Sequence, residues 1–378
     1  MKRLCSFFYL ALICLMVNAQ NFVPGVEWLD NNGAHINAHG GGILCQNGIY
    51  YWFGEHRMDT TKVSTQVGVT CYSSKDLVNW KYEGVALSML PERSFSDIEK
   101  GGVIERPKVI YNKKTDKCVM WFHVELKWLN TIGERFSAAR SGIAIADKVT
   151  GPFRFIRSIR TTSGCWPENM PESERNSSVK LEDFKNGTPE WWQAVREGAY
   201  VRRDFKAGQM ARDMTLYVDD DGKAYHIFAS EDNTTLHLAE LTDDYLDYTG
   251  RYIRIDPAGY NEGPTIFKKA GTYYMITSGC TGWAPNEARL FSATSIWGPW
   301  VKHPNPFQGD DAKLSFHTQG TYILPVPGKK DAFIYMADRW TPEKISNSRH
   351  IWLPIQFENE LPVLKWIDSW SLDFFNKK

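Results

Sequence analysis

The chain has 378 residues, with 44 Lys and Arg against 44 Asp and Glu, so its formal net charge is +0. That balance argues against the long-range attraction to nucleic acid or anionic membrane that a basic protein has, and it suits a neutral polymer such as a polysaccharide. Aromatic residues make up 14% of the chain, enough to serve both a β-rich core and platforms on which the apolar face of a sugar stacks.

In chain order, Lys2 and Arg3, the apolar run over residues 4–17 and Asn18-Ala19-Gln20 read as an export signal of residues 1–20. The run is too short to cross a bilayer. A secreted or periplasmic protein is expected, and Leu-Ile before Cys14 makes a poor lipid-attachment site. Among the later cysteines, Cys45, Cys71, Cys118, Cys165 and Cys280, no pair has C-x-x-C spacing. An odd number leaves at least one thiol free, and Cys45, Cys71 and Cys118 sit in apolar runs that predict burial without a partner.

From there to the end, residues 21–378 read as one domain of short strands divided by turn residues. Gly48-Ile-Tyr-Tyr-Trp-Phe53, Lys117-Cys-Val-Met-Trp-Phe-His-Val124, Lys223-Ala-Tyr-His-Ile-Phe-Ala229, Gly271-Thr-Tyr-Tyr-Met-Ile-Thr277 and Asp331-Ala-Phe-Ile-Tyr-Met-Ala337 are rich in β-branched and aromatic residues. Their loosely even spacing predicts the blades of an all-β propeller, with a β-sandwich of similar size as the alternative. Turn motifs repeat too: Tyr72-Ser-Ser-Lys-Asp-Leu-Val-Asn-Trp80, and Gly-Pro-aromatic at Phe153 and at Trp300. Residues 161–198 form a long polar insertion, residues 190–203 predict a short helix, and residues 366–375 predict a closing strand.

Several carboxylates stand at strand mouths. Glu105 lies in Val-Ile-Glu-Arg-Pro107 and Glu262 in Tyr-Asn-Glu-Gly-Pro264, each just before a strand, and Asp213 is placed similarly in Ala-Arg-Asp-Met-Thr-Leu216. In a propeller such residues converge on a central funnel, and glycoside hydrolysis uses two carboxyl groups across the scissile bond. Gln319 precedes the strand Thr-Tyr-Ile-Leu324. His35, His39 and His317 show no metal-ligand spacing with each other and read as polar binding or packing residues; no metal or cofactor is expected. Gly40-Gly-Gly42 opens a strand rather than a helix, so it is no phosphate cradle.

Tyr-Asn-Glu-Gly-Pro264, the Gly-Pro-aromatic turns, Ala38-His-Gly-Gly-Gly-Ile-Leu44 with Gly-Glu55 beyond it, and Ser-Lys-Asp-Leu-Val-Asn-Trp80 together resemble glycoside hydrolase family 43, and within it the exo-β-1,3-galactanase branch. The resemblance implies a five-bladed propeller, an inverting reaction that releases galactose from β-1,3-galactan, and Glu262 as general acid. It implies that Glu105 tunes that acid and grips the terminal sugar, and that Thr281-Gly-Trp-Ala-Pro-Asn286, with Trp283 and Asn286, forms a subsite wall; Glu55, Asp213 and His39 are read as further substrate-binding residues. Most of the family carries a first-blade Asp as base, but here that stretch reads Ile-Asn-Ala-His-Gly-Gly-Gly42 without a carboxylate. Gln319 then holds the attacking water, with Glu105 as the alternative base. An arabinofuranosidase, xylosidase or galactofuranosidase of the same family, or a propeller that binds galactan without cleaving it, are the competing readings. A monomer is expected, and an axial calcium ion is left open by the residues.

Overall fold

The computed structural model describes residues 21–58, 66–127 and 136–376; the export signal expected over residues 1–20 lies outside them. The first sheet holds β1 (His39–Gln46), β2 (Ile49–Arg57), β3 (Gln66–Ser74) and β4 (Lys81–Ser88). The second holds β5 (Val103–Asn112), β6 (Lys117–Glu125), β7 (Arg140–Ala146) and β8 (Arg154–Ile159). Three short helices follow, α1 (Glu172–Arg175), α2 (Pro189–Arg196) and α3 (Ala199–Asp204). The third sheet is β9 (Met214–Val218), β10 (Ala224–Ser230), β11 (Thr235–Leu241) and β12 (Tyr248–Ile255), and the fourth is β13 (Asn261–Lys269), β14 (Thr272–Gly279), β15 (Arg289–Ala293) and β16 (Val301–His303). After β17 (Phe307–Gln308) comes a three-stranded sheet, β18 (Gln319–Pro325), β19 (Phe333–Arg339) and β20 (Arg349–Pro354). β21 (Gln356–Glu358) and β22 (Leu361–Lys365) pair with each other, and β17 adds to β22 in parallel, making a sixth sheet.

The propeller expected from the sequence is therefore corrected from five blades to six, one for each sheet. All five strand patterns singled out in the sequence fall on the second strands β2, β6, β10, β14 and β19. The further sheet was invisible because strands of two and three residues carry no readable alternation. The repeated turn motifs all occupy the connection from a third strand to a fourth, before β4, β8 and β16. Residues 366–375 hold no closing strand. Trp370 instead makes a single antiparallel bridge to Phe22, beside a short 3-10 turn at Leu372–Asn376. The Phe22 and Trp370 rings stack at 4.3 Å, and Phe22 also stacks on Trp352.

The insertion is ordered. The single helix expected over residues 190–203 is two, separated at Gly198, whose φ of 74° only glycine adopts without strain. Thr188 caps α2, its hydroxyl accepting from the Trp191 amide, with Pro189 at the first helical position. Of the cysteines read as buried, Cys71 and Cys118 are buried and Cys45 is only half-buried. All five lack a disulfide partner.

The first strands of five of the sheets pack in turn as inner strands, β1 on β5, β5 on β9, β9 on β13, β13 on β18 and β18 back on β1, and the small sheet of β17, β22 and β21 adds no strand to that ring. Four of them share a local device. Their pairing slips between His39 and Gly42 in β1, Glu105 and Lys108 in β5, Glu262 and Thr265 in β13, and Gly320 and Tyr322 in β18. A bulge bends the strand and re-aims the side chain beside it. In three of these strands the slip carries a left-handed residue: Gly40 (φ 60°), Arg106 (φ 54°) and Gly263 (φ 55°).

Candidate active site

Three of the bulged strands bring a chemistry-bearing side chain to one mouth of the propeller, and a fourth such side chain comes from the residue before β9. Glu105, Glu262 and Gln319 come from bulged strands, and Asp213 stands immediately before β9. These four, with Glu55 and Trp283, line a cleft of about 390 Å³. His39, at the equivalent register of β1, does not line it. It is fully buried, stacked on His350 at 4.9 Å and 3.7 Å from Asp338. Asn286 lines an adjoining side pocket of about 180 Å³ that shares Trp283, Gln319 and Trp340 with the cleft. There its amide is committed to its own loop, accepting from the Gly279 amide at 2.6 Å and donating to Thr281 at 2.7 Å.

The acidities of the two glutamates are pushed in opposite directions. Burial, then the nearby charge of Asp213, pushes the Glu262 carboxyl up to about 7. Burial would also raise Glu105, but the hydrogen bond and charge of His123, then Arg57 and Arg106, overcome it and bring the carboxyl down to about 2. His123 is the cross-strand neighbour of Glu105 and lies 3.1 Å from it, with Glu125 on its other ring nitrogen at 2.8 Å. Burial opposes its charge, yet the hydrogen bonds that its ring donates to Glu105 and Glu125 lift the imidazole to about 9.

Gln319 is fixed by chemistry at both ends of its amide. Its oxygen accepts from Arg106 at 2.5 Å and from the Trp340 indole at 3.0 Å, while its nitrogen donates to Ser278 at 3.0 Å. Arg106 also pairs with Asp213 at 2.9 Å and donates to the Gly320 carbonyl at 2.7 Å. Its own amide donates to Glu55 at 2.9 Å, and Glu55 in turn accepts from Arg57 at 2.6 Å. Glu55 is thus a buried brace for the two arginines as well as a cleft residue. Trp283 is half exposed at the rim, edge-on to Trp340 at 5.5 Å.

Sequence reasoning missed Arg57, Arg106, His123, Asn233, Cys280 and Trp340. Only Arg106 left a signal: it occupies a left-handed bulge position that is glycine in the Asn-Glu-Gly-Pro motif, and non-glycine strain of that kind gathers at functional sites. His35, His39 and His350 bring ligand atoms within 4.8 Å of one another. Both ring nitrogens of His350 are committed, to Asp338 at 2.8 Å and to the Ile36 carbonyl at 2.9 Å, while both ring nitrogens of His39 and Nδ1 of His35 are buried without a hydrogen-bond partner. No helix of the described residues is long and apolar enough to cross a membrane.

The pattern of Glycosyl hydrolases family 43 matches residues 188–359. A solved family 43 β-1,3-galactosidase, in complex with galactodeoxynojirimycin, is 53% identical, with a TM-score of 0.89 over 93% of this chain and 100% of that one. The chain belongs to glycosyl hydrolases family 43. Another solved structure, the exo-β-1,3-galactanase of Phanerochaete chrysosporium with galactose, is 30% identical, with a TM-score of 0.72 over 93% of this chain and 68% of that one. A β-D-galactofuranosidase of Aspergillus niger is 29% identical over 163 residues, 41% of this chain and 46% of that protein. The chain spans less than half the length of the two curated relatives it matches, at 46% and 37%. Family 43 membership makes this protein a glycoside hydrolase, and the paired carboxyls of its cleft are the groups such a reaction needs.

Proposed function

We propose that this protein is an inverting, exo-acting β-1,3-galactosidase that releases galactose from the end of a β-1,3-galactan chain. The observation that carries the chemistry is the split between the carboxyls of one cleft, Glu262 raised to about 7 and Glu105 lowered to about 2. Two carboxyls with such different environments supply an acid and a permanent anion at the same pH. The similarity to β-1,3-galactosidases supports the choice of sugar.

In this reading Glu262 gives its proton to the glycosidic oxygen as the bond to the anomeric carbon breaks. Ionised Glu105 accepts hydrogen bonds from the terminal sugar and stabilises the positive charge that develops on its ring. Gln319 orients the water. Its oxygen is held by two N–H donors, which disfavours the O–H tautomer that would be needed for it to take a proton. It acts by position, which is a large factor in itself, and the water's proton passes to solvent as the new C–O bond forms. Trp283 offers an apolar wall for the departing chain.

Incubation with linear β-1,3-galactan, followed by NMR, tests the proposal. Galactose should be the first small product, and it should appear as the α anomer before mutarotation. Shorter oligosaccharides without galactose, the β anomer first, or binding without turnover would overturn it. The pH profile has a fixed sign. Glu262 must be protonated, so kcat/KM should be full below about pH 6 and fall as pH rises through about 7, the value of that carboxyl. Glu105, at about 2, should impose no fall until strongly acidic pH.

A further inference from the structure

Glu262 Oε1 accepts two hydrogen bonds, from Asn233 Nδ2 at 2.7 Å and from Cys280 Sγ at 3.2 Å. The two donors also touch each other, with Asn233 Nδ2 at 3.7 Å from Cys280 Sγ. An oxygen that accepts from two donors is the carbonyl oxygen of a neutral carboxyl group. The dissociable proton is then left to Oε2.

The backbone invests in this arrangement. Asn233 lies in the turn between β10 and β11, where Glu231, Asp232 and Asn233 all have positive φ, at 52°, 54° and 64°. Three such residues in succession, none of them glycine, are costly and persist only where their surroundings over-determine them. Here the surroundings are explicit. The carboxylate of Glu231, fully buried, is gripped by Arg254 at 2.7 and 2.8 Å and by His237 at 2.8 Å. Arg254 also donates to the carbonyls of Val195 and Arg196 in α2, both at 2.7 Å. Asp232 is paired with Arg212 at 3.0 Å and lies 3.6 Å from Arg203 of α3. The helical insertion thus braces the turn that presents Asn233.

We infer that Asn233, assisted by Cys280, is a positioning residue for the general acid: it locks the Glu262 carboxyl so that the proton sits on Oε2, ready for the glycosidic oxygen, and the helices of residues 161–208 hold that lock in place. The inference rests on the reading of Glu262 as the acid. The proton on Oε2 moves to the leaving oxygen, the C–O bond breaks, and Glu262 is left as a carboxylate whose Oε1 still has both donors. Those donors favour the carboxylate over the neutral acid. Other charged or titratable groups acting on Glu262 are Asp213 ahead of β9, Arg106 on β5 and Arg212. None of them is altered in the test.

Asn233→Gly is the variant of choice, because glycine keeps the left-handed backbone without strain. Cys280→Ala removes the second donor, and Cys280→Ser restores one. Without a donor the carboxylate is less favoured, so the basic limb of kcat/KM should move upward by roughly half a unit to one unit. In Asn233→Gly, kcat on β-1,3-galactan should fall about tenfold to a hundredfold with little change in KM. An aryl β-galactoside whose phenol leaves without protonation should be hydrolysed nearly as before. Cys280→Ser should return the limb toward its original place. Equal losses on both substrates with an unmoved pH limb would show a merely structural role and overturn the inference. Glu262→Gln, run in parallel, separates this from the reading beneath it. If that variant keeps its activity on galactan, the acid assignment fails. If it loses activity on galactan while Asn233→Gly and Cys280→Ala behave as the parent, only the lock fails.

Discussion

Glu262→Gln is expected to reduce galactose release by about 10²- to 10⁴-fold, the usual contribution of a general acid, while the protein stays folded. The amide has nearly the shape of the neutral carboxyl, and Asn233 and Cys280 can still donate to its oxygen. What disappears is the proton on the other side. Rates on galactan together with thermal unfolding check the result. A turnover within a few-fold of the parent would remove Glu262 from the mechanism.

Arg106→Gly should cost nearly as much for a different reason. Glycine suits the left-handed backbone at φ 54°, so the bulge survives and only the guanidinium is lost. Three contacts go with it: the bond to the Gln319 oxygen, the pair with Asp213 and the bond to the Gly320 carbonyl. Gln319 then keeps only its contacts with Trp340 and Ser278, and misplacing a water-holding group by about 1 Å is worth on the order of 10²-fold in rate. Asp213 is left without its partner beside Glu262. Removing one member of a buried pair typically costs about 3–5 kcal/mol, and the uncompensated charge should raise the Glu262 carboxyl beyond about 7. Steady-state kinetics should show kcat/KM down at least about 10²-fold and the basic limb shifted upward. An unshifted limb would mean that Arg106 does not balance Asp213.

How much of this was legible beforehand differs from residue to residue. The second strands were plain, because aromatic and β-branched runs of seven to nine residues announce themselves. Glu105 and Glu262 were legible through the proline that follows each within two residues, since that pattern marks a bulge at a strand mouth. His123 and Trp340 were not. Each acts through a neighbour brought close by pairing between strands or blades, and nothing local distinguishes it from an ordinary core or rim residue. Asn233 was hidden for a further reason: its importance lies in a backbone conformation and in Arg254, 21 positions away in the chain and far from any motif. The sixth sheet was missed because its strands are too short to show a period, and His39 was misplaced because its motif says where the backbone goes but not that the ring turns toward Asp338.

The recurring bulge has an evolutionary consequence. Four of the inner strands supply the same socket, a side chain set beside a sharp backbone turn, and the turn is kept although the four occupants differ. Changes of occupant can therefore alter the reaction without any rebuilding of the scaffold. In the first strand the occupant is a histidine drawn aside by Asp338, while the amide of Gln319 serves from another strand. A lineage built on such sockets can surrender a carboxylate in one place and recover a working centre from another, so that ancestry and reaction chemistry drift apart while the architecture stays put.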